Sequence, residues 1–119
     1  MLEKKYRLKK YSAFIATYKN NDVVSDKNIC LYFGKKKTDY SNTTKIAFVV
    51  SKKIHKRAVI RNRIKRLMRE SIRKILTSQE YQPIINKYMS IVCVAKQDAI
   101  SKNFFDISSS LNKLISTKK

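Results

Sequence analysis

The twenty residues AVIRNRIKRLMRESIRKILT, running from Ala58 to Thr77, carry two patterns at once. Ile64, Leu67, Met68, Ile72, Ile75 and Leu76 recur at the i, i+3, i+4 spacing of a helix with one core-facing stripe. At about 100° per residue, Asn62, Arg66, Arg69 and Arg73 gather into a narrow strip on the opposite side. The spacing predicts one long helix whose apolar flank lies on a sheet and whose cationic flank stays wet.

The surrounding charge says what the wet flank meets. Between Lys52 and Lys74 there are eleven Lys or Arg and one acid, Glu70, so about half of the chain's net charge of +20 sits in one short stretch. Solubility alone needs a net charge of only about 2–8 in a small domain, whereas like charge at this density is relieved when a polyanion binds. Arg61, Arg63 and Lys65 flank the strip near the helix N-terminus, where unpaired N–H groups and the dipole already favour anions. Arginine forks also hold phosphate oxygens bidentately. A solvated face balanced by salt bridges is the alternative, and a single Glu70 is too little acid to supply it.

Working outward, the 119 residues suit one domain, with one Gly, one Pro, no repeat and no linker. Residues 1–9 read as a flexible basic arm. Tyr11, Phe14, Ile15 and Tyr18 recur at helical spacing between Lys10 and Lys19, with Ser12 as a candidate N-cap. Asn20, Asn21 and Asp22 break that pattern and Val23-Val24 form a brief strand. Alternation then places Ile29, Leu31 and Phe33 on one strand face and Cys30 and Tyr32 on the other, with Gly34 closing the strand. Lys35 to Thr44 reads as an exposed loop. Lys45 to Ser51 is a strand apolar on both faces, as central strands are. Pro83 falls in a connection, Met89 to Ala95 is a second buried strand, and Ile100, Phe104, Ile107, Leu111 and Leu114 mark a final amphipathic helix. Residues 116–119 are expected to fray.

No apolar run approaches the ~20 residues of a membrane span, and Met1 to Arg7 lack the apolar core of a secretory signal, so the sequence reads as cytoplasmic and free of membrane. Cys30 and Cys93 lack the paired spacing of a zinc or redox site and read as reduced core thiols. His55, the only histidine, reads as a turn residue. There is no histidine pair, no carboxylate cluster for Mg²⁺ and no nucleophile beside a base, so no catalytic residue is assigned. Tyr32, Phe14 and Tyr18 can line a groove on which unpaired bases stack, although aromatic residues at helical spacing are more often plain core.

The run Arg61-Asn62-Arg63-Ile64-Lys65-Arg66-Leu67-Met68-Arg69-Glu70, preceded by Ser51-Lys52-Lys53 at a strand end, closely resembles the protein subunit of bacterial ribonuclease P. The basic arm with Arg7-Leu8-Lys9, the aromatic first helix and the Leu31-Tyr32 strand follow in the family's order. The resemblance implies an α/β (α+β) sandwich of order α-β-β-β-α-β-α, with a four-stranded mixed sheet packed against helices. It also implies a left-handed β-α-β crossover, although about 98% of such crossovers are right-handed.

The same resemblance implies a division of labour, with catalysis and Mg²⁺ both belonging to an RNA subunit and no protein-bound cofactor. Lys52, Lys53, Arg57, Arg61, Asn62, Arg63, Lys65, Arg66, Arg69 and Arg73 would engage that catalytic RNA. Phe14, Tyr18 and Tyr32, along a groove between the arginine helix and the sheet, would guide the 5′ leader of precursor tRNA. Many relatives have Gly in the turn after the Lys pair, where this chain has Ile54-His55-Lys56-Arg57. A structural ribosomal protein would share the basicity without supporting leader removal. A helix-turn-helix DNA binder would need a short helix and tight turn before the basic helix, which the sequence lacks.

Overall fold

A computed structural model describes residues 4–39 and 43–119. In chain order it contains α1 (Tyr11–Lys19), β1 (Asp22–Ser25), β2 (Ile29–Phe33), β3 (Lys45–Val49), α2 (Ala58–Leu76), α3 (Gln82–Ile85), β4 (Ser90–Ala95) and α4 (Phe104–Ser116). The stripe read from the sequence is the buried flank of α2. Ile64, Met68, Ile72 and Ile75 are buried there, Ser71 joins them by donating to the Leu67 carbonyl (2.9 Å), and Leu67 and Leu76 pack at the rim. This is the α+β architecture expected, with an extra α-helical turn, α3, formed where Pro83 occupies the start of a helix that needs no N–H there.

The four strands run in the order β1-β2-β4-β3. β1 and β2 form an antiparallel hairpin, β4 pairs antiparallel with β2, and β3 lies parallel to β4. Parallel neighbours cannot be joined by a tight turn, and α2 makes the crossing. The register puts Leu31, Cys93 and Phe48 side by side on one face, and Tyr32, Val92 and Ala47 on the other. The first face, with Ile29, Phe33, Ile46, Ile91 and Ala95, forms one continuous core with α2, α3 and α4. Val92 and Ala47 are buried outside that core, on the face that carries α1.

Several expectations are corrected. β3 is the outermost strand rather than a central one. It is apolar on both sides because α2 covers one face, Phe14 of α1 approaches the other, and its free edge is occupied by the N-terminal arm. Leu8 N–H donates to the Ile46 carbonyl (3.0 Å) and Lys45 Nζ to the Lys5 carbonyl (2.6 Å), so residues 4–8 of the segment read as a flexible arm are held along β3. Ser12 lies inside α1, whose N-cap is Lys10 without a side-chain bond. The final helix starts at Phe104, because Asn103 and Asp106 form a reciprocal capping box after a 3₁₀ turn.

The ends of two other segments are also tied down. The tail is anchored rather than frayed: Lys118 pairs with Asp22 and lies over the rings of Phe33 and Tyr88, and Lys119 pairs with Glu80 at 3.1 Å. In the loop after β2, Lys37 and Thr44 are buried rather than exposed. Thr44 Oγ1 donates to the Tyr88 carbonyl at 2.7 Å, and Lys37 Nζ to Asn86 Oδ1 at 2.8 Å. Tyr40 to Asn42 lie outside the described residues.

α1 is docked at its end by a close approach. Asn21 takes φ = 55°, the left-handed turn that Asn tolerates after a helix, and Asn20 Nδ2 donates to the Phe33 carbonyl (3.1 Å). Thr17 Oγ1 meets Ser90 Oγ at 2.6 Å, and a Cβ on Gly34 would lie 2.2 Å from that same oxygen. Gly34→Ala is therefore expected to force Ser90 off Thr17 and to cost about 1–3 kcal/mol, the range for overpacking. Urea unfolding checks it. The double variant Gly34→Ala/Ser90→Ala, which removes the obstructing oxygen, is expected to recover part of the loss; no recovery would place the strain elsewhere.

Candidate nucleic-acid interface

The strip opposite the core is as the helical spacing requires. Asn62, Arg66, Arg69 and Arg73 are all exposed and have no hydrogen-bond or ion-pair partner among the described residues. Glu70 likewise makes no ion pair among the described residues, so the comb is not neutralised by the chain itself. Lys65 is half-buried on the border of the strip.

The arginines flanking the strip have work inside the molecule. Arg61 Nη1 donates to the carbonyls of His55 (3.0 Å) and Lys56 (2.7 Å), and the His55 ring accepts the Arg57 N–H at Nδ1 (3.1 Å). The turn from Ile54 to Arg57 is thus braced by a guanidinium and an imidazole. Arg57 is left exposed as the N-cap residue of α2, and Lys52 and Lys53 are exposed on the preceding turn, where Ser51 caps Lys53 N–H at 3.1 Å. Arg63 Nη2 reaches across to the Lys102 carbonyl (3.1 Å), fastening α2 to the entrance of α4.

The aromatic residues lie on the other side of the sheet. Tyr32 shares its face with Cys30 and Val92, away from α2, so these aromatic residues lie where α1 packs on the sheet and not between the arginine helix and the sheet. The reason is the period-2 alternation of β2: Leu31 points into the α2 core and its neighbour must point away. Tyr18 and Tyr32 meet edge to face with centroids 4.8 Å apart and planes at 79°. Phe14, one turn earlier on α1, lies by Ala47 and Phe48. Tyr18 is the outermost of the pair, at 36% exposure.

Both phenols keep their protons at neutral pH. Burial pushes the Tyr18 hydroxyl up, with a further push from the Cys30 thiol. At Tyr32 the hydrogen bond with Cys30 is the largest cause of an upward shift, followed by the charge of that thiol, burial and Tyr18. An uncharged ring can stack on a base without repelling the adjoining phosphate. Cys93 is fully buried, and burial pushes its thiol far up, in keeping with a core role.

Sequence reasoning missed part of this surface. A cavity of about 330 Å³ opens where Arg7 and Lys9 of the arm meet Phe14, Phe48 and Arg69. The arm was legible as basic, but nothing local signals that it lies against β3, because that contact depends on strand order. Among the described residues no three of His, Cys, Asp or Glu lie together as metal ligands, and no helix is long and apolar enough to cross a membrane.

Comparison with known proteins agrees with this geometry. The ribonuclease P family model matches residues 2–119. The ribonuclease P protein component of Clostridium kluyveri is 34% identical over 110 residues, covering 92% of this chain and 91% of the relative. That of Staphylococcus epidermidis is 36% identical over 118 residues, covering 99% and 94%. The structure of the Staphylococcus aureus RNase P protein superposes with a TM-score of 0.73 at 28% identity, over 96% of this chain and 95% of that one. The Thermotoga maritima RNase P protein shares the fold, with a TM-score of 0.69 at 22% identity over 93% and 96%. With a family match along nearly its whole length and relatives above 30% identity, the chain belongs to the ribonuclease P protein family.

Proposed function

We propose that this chain is the protein subunit of ribonuclease P, binding the catalytic RNA and the 5′ leader of precursor tRNA and assisting removal of that leader in the cytoplasm. The observation that carries the reading is the unneutralised comb of Asn62, Arg66, Arg69 and Arg73 on the wet flank of α2. With Lys52, Lys53, Arg57, Lys65 and the free donors of Arg61 and Arg63, it offers the catalytic RNA a row of phosphate ligands. Phe14, Tyr18 and Tyr32 take the leader, whose unpaired bases have the π-faces that such a groove accepts. Because the two surfaces are on opposite faces of one sheet, one RNA does not exclude the other.

In this reading the catalytic Mg²⁺ ions would be held by the RNA subunit, not by the protein. The protein contributes charge: two polyanions approach each other at lower electrostatic cost when +20 lies between them. Reconstitution of purified protein with ribonuclease P RNA and precursor tRNA tests this. The expected result is a lower Mg²⁺ concentration for half-maximal cleavage and a gain in affinity for leader-bearing over mature tRNA. If adding the protein moves neither quantity, the reading fails.

A further inference from the structure

We infer that His55 is a positioning residue for RNA binding: its Nδ1 lone pair holds the Arg57 N–H and so fixes the cationic turn before α2 in the pose that meets phosphate. The inference rests on the RNA-binding reading and adds to it a residue that acts through its neighbours rather than on the RNA. The turn needs such a device. Lys52, Lys53, Lys56 and Arg57 are all exposed and crowd into six residues without an acid, so their like charge pushes the backbone apart. Arg57, the N-cap residue of α2, makes no side-chain cap bond, where Ser, Thr, Asp or Asn commonly supplies one. Neither glycine nor proline stands between Ser51 and Arg57 to set the turn.

Hydrogen bonds from both ends set it instead. At the strand end, Ser51 accepts the Lys53 N–H on Oγ (3.1 Å) and the Ile54 N–H on its carbonyl (3.0 Å), and Ile54 packs against the core. At the helix end, His55 Nδ1 accepts the Arg57 N–H at 3.1 Å, a side chain bonding the backbone two residues on. Asn and Asp make the same closure in the turns they favour. Arg61, one turn into the helix, then clasps the carbonyls of His55 (3.0 Å) and Lys56 (2.7 Å). Four cationic side chains thus leave a backbone that is already ordered, and less conformational freedom is lost when RNA binds. Acceptance at Nδ1 needs a lone pair there, which assigns the ring proton to Nε2. Nε2 has no partner among the described residues.

The test compares the full chain with His55→Ala, His55→Asn and His55→Gln. The readouts are filter binding to ribonuclease P RNA over a range of salt, urea unfolding, and nitrogen NMR of the wild-type ring at neutral pH. His55→Ala is expected to lower affinity by about 2- to 10-fold, the worth of one neutral hydrogen bond. The slope of log affinity against log salt is expected to stay the same, because every phosphate ligand is still present. Asn places Oδ1 where Nδ1 lies and is expected to recover the loss. Gln, whose amide lies out at the place of Nε2, is expected not to. The ring is expected to carry its proton on Nε2, and the urea midpoints to move little, since the turn can open without the core.

A salt slope lower by about 0.7–0.9 in His55→Ala would make the histidine a charged phosphate ligand and overturn the inference. Rescue by Gln instead of Asn would mean that Nε2 touches the RNA and would overturn it too, as would a ring protonated at Nδ1. A lower urea midpoint with unchanged affinity would reduce His55 to a structural residue. The two readings fail separately. Variants that bind as the wild type does would sink this inference and leave the proposed function standing, whereas a wild-type chain with no salt-dependent affinity for ribonuclease P RNA would sink both.

Discussion

Replacing Arg66, Arg69 and Arg73 together by alanine should lower the slope of log affinity for structured RNA against log salt by about 2–3, at roughly 0.7–0.9 per lost phosphate contact. Affinity at low salt should fall by about 100-fold or more, since hydrogen bonds to charged groups are the strong ones. The fold should be untouched or slightly firmer, because the three side chains are exposed, have no partner among the described residues and repel the other cations. Filter binding at several salt concentrations, beside urea unfolding, gives both quantities. A variant that unfolds, while its folded fraction binds RNA with an unchanged salt slope, would mean that the two flanks of α2 have been assigned the wrong way round.

The opposite flank predicts the opposite result. Ile72 is 1% exposed and lies in the core shared by α2, α4 and the sheet. Ile72→Ala should cost about 2–5 kcal/mol, the lost transfer energy plus the cavity left behind. Domains of this kind have only about 5–15 kcal/mol in total, and a net charge of +20 already strains this one. The variant should therefore sit near the edge of unfolding in plain buffer and regain stability as sulfate or RNA is added, since a ligand of the folded state alone stabilises by mass action. Leu67→Ala, at the rim of the same helix, should cost less than Ile72→Ala. Denaturant midpoints with and without sulfate measure all of this; equal losses at 67 and 72 would contradict the burial of the stripe.

How much was legible follows from which signals are local. The stripe and comb of α2 were readable because helical period alone separates them, and the alternation of Ile29 to Phe33 fixed which way Tyr32 points relative to Leu31. What lies above each face is not a local property, so Phe14, Tyr18 and Tyr32 were expected beside α2 and lie on the side of α1. β3 misled for the same reason: Ile46, Phe48, Ala47 and Val49 record that both faces are covered, not by what, and the covering of its edge comes from residues some forty positions upstream. Gly34 could be read as a strand end, but its opposition to Ser90 depends on the register between distant segments. Asn103 with Asp106 was a signal in plain view, a reciprocal cap that the apolar pattern from Ile100 onward obscured.

The seam between the N-terminal segment and β3 has a consequence for handling and for the cell. Lys45 to Val49 is a short, mostly apolar stretch without proline, the kind that recruits further copies of itself when its backbone is left open. Among the described residues the bridge at Arg7, the bond from Leu8 and the contact from Lys45 to the Lys5 carbonyl close it. Proteolytic clipping before residue 9 should therefore do more than remove positive charge: it should open the edge of β3 and drive association through that strand, at a rate that rises with protein concentration.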